Sequence, residues 1–431
     1  MQAVKEQQTG EALTGFLARY EGLRTQLPGG ADAREAAAAV LRERGLPTPK
    51  EEAWHFTNLK SFAGLGFSEP VTDLAAGAEL LALLPKVEGP RLVLVDGHFR
   101  PDLSVLPESM SVQSFAETHT FGALPRPGRD RVVALNTMLA EDGVVIEVPD
   151  GVDAGFVMLA QLTSGTHRRV ASHPRHRIRL GAGAKLVILE VSAGLGEYLN
   201  NPVLEIEVAE GAHLTHGRLQ KDSDKAFHLA TVYADTAAGG VYDCFSLALG
   251  ARLGRTEIHA RLGGEQAAVH LNAAQIMGGT QVSDFTTAIL HDAPNCPSRQ
   301  TVKSVLTGKA RAVFQGRIEV ARVAQKTDGY QMNQALLLSP DAEINSKPEL
   351  EIYADDVKCS HGATVGALDP EQLFYLRSRG VPADAARMIL VRAFLTDAFE
   401  AVAHEGLRQV FEDAVEQWWM TTGKNAEAPA A

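Results

Sequence analysis

Apolar positions near the start of the chain recur at helical spacing. Leu13, Phe16, Leu17, Tyr20 and Leu23 fall on one face between Glu11 and Gln26, which predicts an amphipathic helix. Pro28-Gly29-Gly30 breaks that pattern. The Ala-rich segment Ala31 to Arg44, with alternating charge, predicts a second helix that Gly45, Pro47 and Pro49 stop. Residues 51–57, which include Trp54, His55 and Phe56, read as a short ordered stretch. From 66 to 150, loops alternate with short strands such as Arg91-Leu92-Val93-Leu94-Val95, predicting a small α/β region.

From about 144 to 365 helical periodicity disappears. Short runs rich in Val, Ile, Leu, Thr and Phe alternate with glycine breaks, as at 185–191, 203–208 and 312–320. Gly183, Gly211, Gly239, Gly263 and Gly308 are separated by 28, 28, 24 and 45 residues, the last near two units of about half that length. A loose period in the twenties without intervening helices predicts a β-solenoid or a stacked double sheet; on periodicity alone a β-sandwich also fits.

Helical punctuation returns at Asp369. Asp369, Pro370 and Gln372 form an N-cap, N1 proline and N3 acceptor, and Gly380 closes that helix. A longer helix follows Pro382, with Met388, Val391, Leu395, Ala398 and Val402 on one face. After Gly406, a last helix carries Leu407, Val410, Phe411, Ala414, Val415, Trp418 and Trp419 as one apolar stripe, read as packing or, if partly exposed, as a docking surface. The polar tail from Thr421 is expected to fray.

Composition narrows the function classes. With 431 residues and 45% hydrophobic content, the chain can bury a large core. The net charge of −12 argues against a dedicated nucleic-acid binder. No run of 18 apolar residues is present for a membrane span, and the start lacks a signal peptide's basic and apolar parts, so a cytoplasmic protein is expected. Three dispersed cysteines, Cys244, Cys296 and Cys359, build neither a disulfide framework nor a CxxC site.

The usual catalytic signatures are missing. There is no P-loop, no H-E-x-x-H and no G-x-S-x-G, and the glycines at 181 and 183 sit in a β-run without a following helix. One candidate is Lys358-Cys359-Ser360-His361-Gly362. On a strand, Cys359 and His361 project to one side, about 6.5–7 Å apart. A thiolate and an imidazole make half a site for iron or zinc, and another chain must supply the rest. The alternative is a buried cysteine beside a hydrogen-bonded histidine. A basic segment, Thr166 to Arg179, reads either as an anion site or as a solvated strand face. His213 and His216 are a weaker metal pair, His259, His270 and His291 look structural, and Cys244 looks like core.

The block Asn345 to Gly366, with Cys359-Ser360-His361-Gly362 near its end, resembles the signature of the SufB/SufD family of iron–sulfur cluster assembly proteins. So does Asp369 to Gly380, and Pro174 to Ala184 and Trp54 to Thr57 agree. The resemblance covers nearly the whole chain. It is similar to the SufD type, because the SufB type is generally longer and carries an N-terminal cysteine cluster, whereas the first cysteine here is Cys244.

The resemblance implies a mainly β fold. A right-handed parallel β-helix core (146–366) would be flanked by an N-terminal helical and α/β region (1–145) and a C-terminal helical domain (367–431). It implies a SufB-like partner joined through the β-helix and a SufC ATPase docked on the C-terminal helices, so this chain would be a non-catalytic scaffold. His361 would lie at the SufB interface opposite a partner cysteine, with Cys359 beside it, meeting iron or a cluster transiently. No cofactor would stay on this chain alone, and the complex is compatible with a reduced flavin. A homodimer in isolation is the alternative assembly. A β-helix enzyme acting on carbohydrate is the alternative function, although Asp355 and Asp356, adjacent on a strand, would point to opposite faces rather than form its acid pair.

Overall fold

The computed structural model describes residues 10–70 and 77–421, so the first nine residues and most of the tail expected to fray (422–431) lie outside the described residues. The longer N-terminal helices are α1 (Glu11–Leu23), α2 (Ala31–Arg44) and α3 (Arg131–Leu139). Trp54 ends a short 3₁₀ turn and is buried. The strands run β1 (Arg91–Val95), β2 (His98–Phe99), β3 (Ser111–Ser114), β4 (Val144–Val148), β5 (Asp153–Ser172), β6 (Arg175–Leu180), β7 (Lys185–Asn200), β8 (Val203–Val208), β9 (His213–Lys221) and β10 (Phe227–Thr236). They continue as β11 (Val241–Ala248), β12 (Leu253–Leu262), β13 (Ala268–Met277), β14 (Val282–His291), β15 (Pro297–Leu306), β16 (Arg311–Val320), β17 (Asp328–Leu337), β18 (Glu343–Ile352) and β19 (Lys358–Gly366).

From β4 onward each strand pairs in parallel with the strand two places along. Odd strands β5 to β19 stack into one sheet and even strands β4 to β18 into the other, and β1 extends the odd stack beside β5. This is a parallel β-solenoid with two strands per rung, and the sandwich alternative falls away. Alternation decides which side chains fill it. Leu186 and Ile188 of β7, Leu214 of β9 and Ile206 of β8 point between the sheets, whereas Leu189, Val191 and Leu219 point outward.

The backbone repeat is more regular than the glycine pattern. A residue with left-handed φ sits two places before each odd strand from β7 to β17: Gly183, Gly211 and Gly239, then Gln266, Asn295 and Lys326, with φ of 60–65° throughout. Three rungs therefore keep the turn without its glycine. Gly263 does not belong to the series, and Gly308 serves the other turn of its rung, before β16. Gly308 has φ 66°, and a Cβ there would meet the Gly279 backbone at 3.0 Å. Gly308→Ala is expected to cost about 1–2 kcal/mol. Gly211, where a Cβ meets nothing within 4 Å, should lose less on the same change. Thermal melts of the two variants compare them directly.

Helices α4 (Pro370–Ser378), α5 (Ala383–Glu400) and α6 (Glu405–Thr421) follow the solenoid. Asp369 caps α4 through bonds accepted from the Glu371 and Gln372 amides. The apolar faces of α5 and α6 fold back over the outer side of the odd sheet. Leu407 and Phe411 cover Gly217, and Phe245 contacts Phe399 and Phe411. Trp418 and Trp419 are buried, so that stripe is packing and not a docking surface. Lys303 of β15, itself buried, pins α5 by donating to Phe394 O and Asp397 Oδ2, both at 2.7 Å. Helices α1–α3 form a separate apolar cluster against Leu199, Phe227, Leu229 and Leu253.

Candidate functional site

The last rung sets the geometry of the Cys-x-His pair. Strand β19 pairs with β17 and β18 pairs with β16, and neither has a further neighbour among the described residues. Two adjacent strand edges are thus open, with Ile352, Tyr353 and Val365 exposed beside them. In the β17–β19 register Cys359 lies beside Gly329 and His361 beside Gln331. Parallel in-register partners share a face. Gly329 and Gln331 are buried and face the interior, so Cys359 and His361 face the same way, at the end of the interior column. His361 is exposed because no rung covers it, while Cys359 is half-buried and packs on the inner core.

Burial, with help from Asp328, pushes the Cys359 thiol up, while a backbone contact at Gly329 opposes it. The isolated chain therefore favours the neutral thiol, and a thiolate there needs a cation or a partner to stabilise it. Behind His361 the interior turns polar. Gln300, Gln331 and His361 follow one another across β15, β17 and β19, and Asn333 lies next in β17. Both side-chain polar atoms of Gln331, Gln300 Nε2 and Asn333 Oδ1 are buried without a hydrogen-bond partner among the described residues. An interior of this kind at an uncovered end calls for further polar contacts.

Other sequence candidates separate. His213 and His216, three apart on β9, point to opposite faces. His213 bonds Asp243 Oδ2 outside at 2.8 Å, and His216 lies inside against Glu190 at 3.1 Å and Tyr242 at 3.1 Å. They form no joint metal site. Cys244 lies in that interior, where burial raises its thiol's pKa but His216 and Arg218 bring it below the ordinary value.

Thr166 to Arg168 and Arg179 are exposed, and the rest of the basic segment is not a solvated face. His173, Arg175 and His176 are buried, and Arg169, Arg177 and Arg179 pair with Glu197, Glu207 and Glu147 of adjoining rungs and β4. Arg169, Arg177 and Arg179 each meet a carboxylate of a neighbouring strand in the stack, a relation that linear sequence hides. Asp355 and Asp356 lie in the bend between β18 and β19, off both sheet faces, so they do not make the face-borne acid pair a carbohydrate enzyme needs.

Sequence reasoning missed a cluster of Asp130, Glu257 and His259. Asp130 precedes α3, and the other two sit on the outer face of β12, beside a cavity of about 510 Å³ that Trp54 and Tyr233 also line. Glu257-x-His259 on a strand was the available signal, since residues two apart share a face. Asp130 comes from far upstream and carried none.

Two family models match this chain. The family model described as "SUF system FeS cluster assembly, SufBD core domain" matches residues 162–394. That described as "SufBD protein N-terminal region" matches residues 28–156. The iron-sulfur cluster assembly protein SufD of Escherichia coli (strain K12) is 34% identical over 374 residues, covering 86% of this chain and 88% of the relative. An iron-sulfur cluster assembly SufBD family protein of Synechocystis is 32% identical over 394 residues, covering 86% of each. "Protein ABCI7, chloroplastic" of Arabidopsis thaliana is 30% identical over 398 residues, covering 87% of this chain and 83% of the relative.

Proposed function

This chain belongs to the SufBD family of the SUF iron–sulfur cluster assembly system, and from that premise we propose that it is a SufD-like scaffold subunit whose last solenoid rung joins a SufB-like partner. The observation that carries the reading is the open edge of β18 and β19, with His361 and Cys359 at the end of an unsatisfied polar interior. A partner strand laid on either edge satisfies its free backbone groups, as strand addition does elsewhere. It also brings a second set of ligands to His361, which the soft-donor requirement of an iron–sulfur site demands.

In this reading His361 offers a neutral imidazole to iron or a nascent cluster as cargo, and Cys359 becomes a ligand once a cation lowers its thiol. The chain itself catalyses nothing. ATP hydrolysis belongs to a SufC-type partner, for which the outer surface of α4 and α5, with Phe374, Tyr375 and Ile389 exposed, is the proposed dock. No helix among the described residues is long and apolar enough to cross a membrane, which accords with the proposed cytoplasmic setting.

The test is the co-purified complex carrying His361→Ala. Iron and sulfide content should fall about tenfold or more, the scale on which ligand-shell losses act, with the subunit ratio unchanged. Normal iron and sulfide at normal yield would remove His361 from this role. Cys359→Ser, made in parallel, separates the two residues.

A further inference from the structure

The cluster beside α3 has the donors and the setting of a metal site. The candidate ligand atoms of Asp130, Glu257 and His259 lie within 4.8 Å of one another, and all three residues are half-buried. Each residue has one donor left over. Asp130 Oδ1 accepts from the Val132 and Val133 amides, at 2.9 and 3.2 Å, as the α3 cap, which leaves Oδ2 for another partner. Glu257 Oε2 accepts from Arg255 at 2.8 Å, which leaves Oε1.

The third donor is His259 Nε2. It is shut off from solvent and has no hydrogen-bond partner among the described residues. It lies 3.0 Å from Glu257 Oε1, close enough for an ion pair but without hydrogen-bond geometry. Two ligand atoms of one ion lie at such a separation. The imidazole is also held in place, since it stacks on Tyr233 with ring centroids 4.7 Å apart and planes 14° apart.

We propose that Asp130, Glu257 and His259 bind a divalent first-row transition-metal ion on the outer face of β12. Two carboxylates and one imidazole suit ions such as Fe²⁺, Mn²⁺, Co²⁺ or Zn²⁺ over the softer thiolate-seeking ions. Three protein ligands leave further positions for water, and the adjoining cavity of about 510 Å³ supplies it. Of the five arginines that line the cavity, Arg131 pairs with Glu51, Arg261 with Asp235 and Asp292, and Arg317 with Glu319 and Glu351. The site lies on the even sheet, away from β19, and does not depend on the role given to His361.

Co²⁺ titration of the full chain, in a Cys359→Ser/His361→Ala background, tests this. The expected result is one Co²⁺ per chain, with visible ligand-field bands and no thiolate charge-transfer band. Asp130→Asn and His259→Gln should each weaken binding about tenfold or more. Asparagine keeps the helix cap, so the Asp130 variant remains informative if the His259 variant folds poorly. Absence of binding in the background chain, or equal binding in both variants, would overturn the site.

Discussion

Glu190→Ala is expected to destabilise the chain by about 3–5 kcal/mol. Glu190 faces the solenoid interior and is almost wholly buried, as are its partners. Arg218 donates to it through Nε at 2.8 Å and Nη2 at 3.2 Å, Gln161 donates at 2.8 Å, and His216 Nε2 lies at 3.1 Å. Burial alone would raise its pKa, yet Arg218 and His216 hold the carboxyl well below the usual carboxylate range. Removing it leaves the Arg218 cation between two sheets with no counter-charge. A Glu190→Ala/Arg218→Met double variant should recover part of the loss, because an apolar pair costs less than an orphaned charge. Chemical denaturation measures both. A single-variant loss below about 1 kcal/mol would mean that the interior compensates Arg218 in some other way.

Acid should begin to destabilise this protein above the range where carboxylates titrate. His173, His176 and His291 are buried, and burial lowers them to about 3, 4 and 4 respectively. His176 shows why. Its Nδ1 accepts from the Val144 amide at 3.2 Å, and its Nε2 has no partner among the described residues to receive a second proton's charge.

The folded values lie below the unfolded value near 6.5, so the unfolded state binds more protons between about pH 6.5 and 4. Stability is therefore lost as pH drops through that window, by about 1.4 kcal/mol per unit for each histidine. His216, raised, and Asp130, pushed up to about 6, act in the opposite sense. Single variants isolate the effect. His291→Gln should flatten the slope of stability against pH between 6.5 and 4 by about 1.4 kcal/mol per unit. An unchanged slope would show that burial does not keep His291 neutral.

Much of the architecture was legible because solenoid and helix patterns are local. The apolar stripe of α6 and the cap at Asp369 follow from residues within a few turns of each other. The glycine period was legible only in part, since Gln266, Asn295 and Lys326 adopt the left-handed turn without being glycine. Cys359 and His361 stood out by their spacing and family resemblance, and the strand register supplied their common direction.

The sequence by itself determined the flanking helices with strong stripes and caps, the run of strands between them, and the resemblance that singled out the Cys-x-His pair. Only the tertiary structure decided which charges are buried. It paired Arg169, Arg177 and Arg179 with glutamates of adjoining rungs and split His213 from His216. It left β18 and β19 uncovered, and it brought Asp130 to Glu257 and His259. The physical reason is the stacking itself. Neighbours in space are one rung, about 26–32 residues, apart in the chain, and a side chain's partners and solvation are set across that gap, beyond the reach of any local pattern.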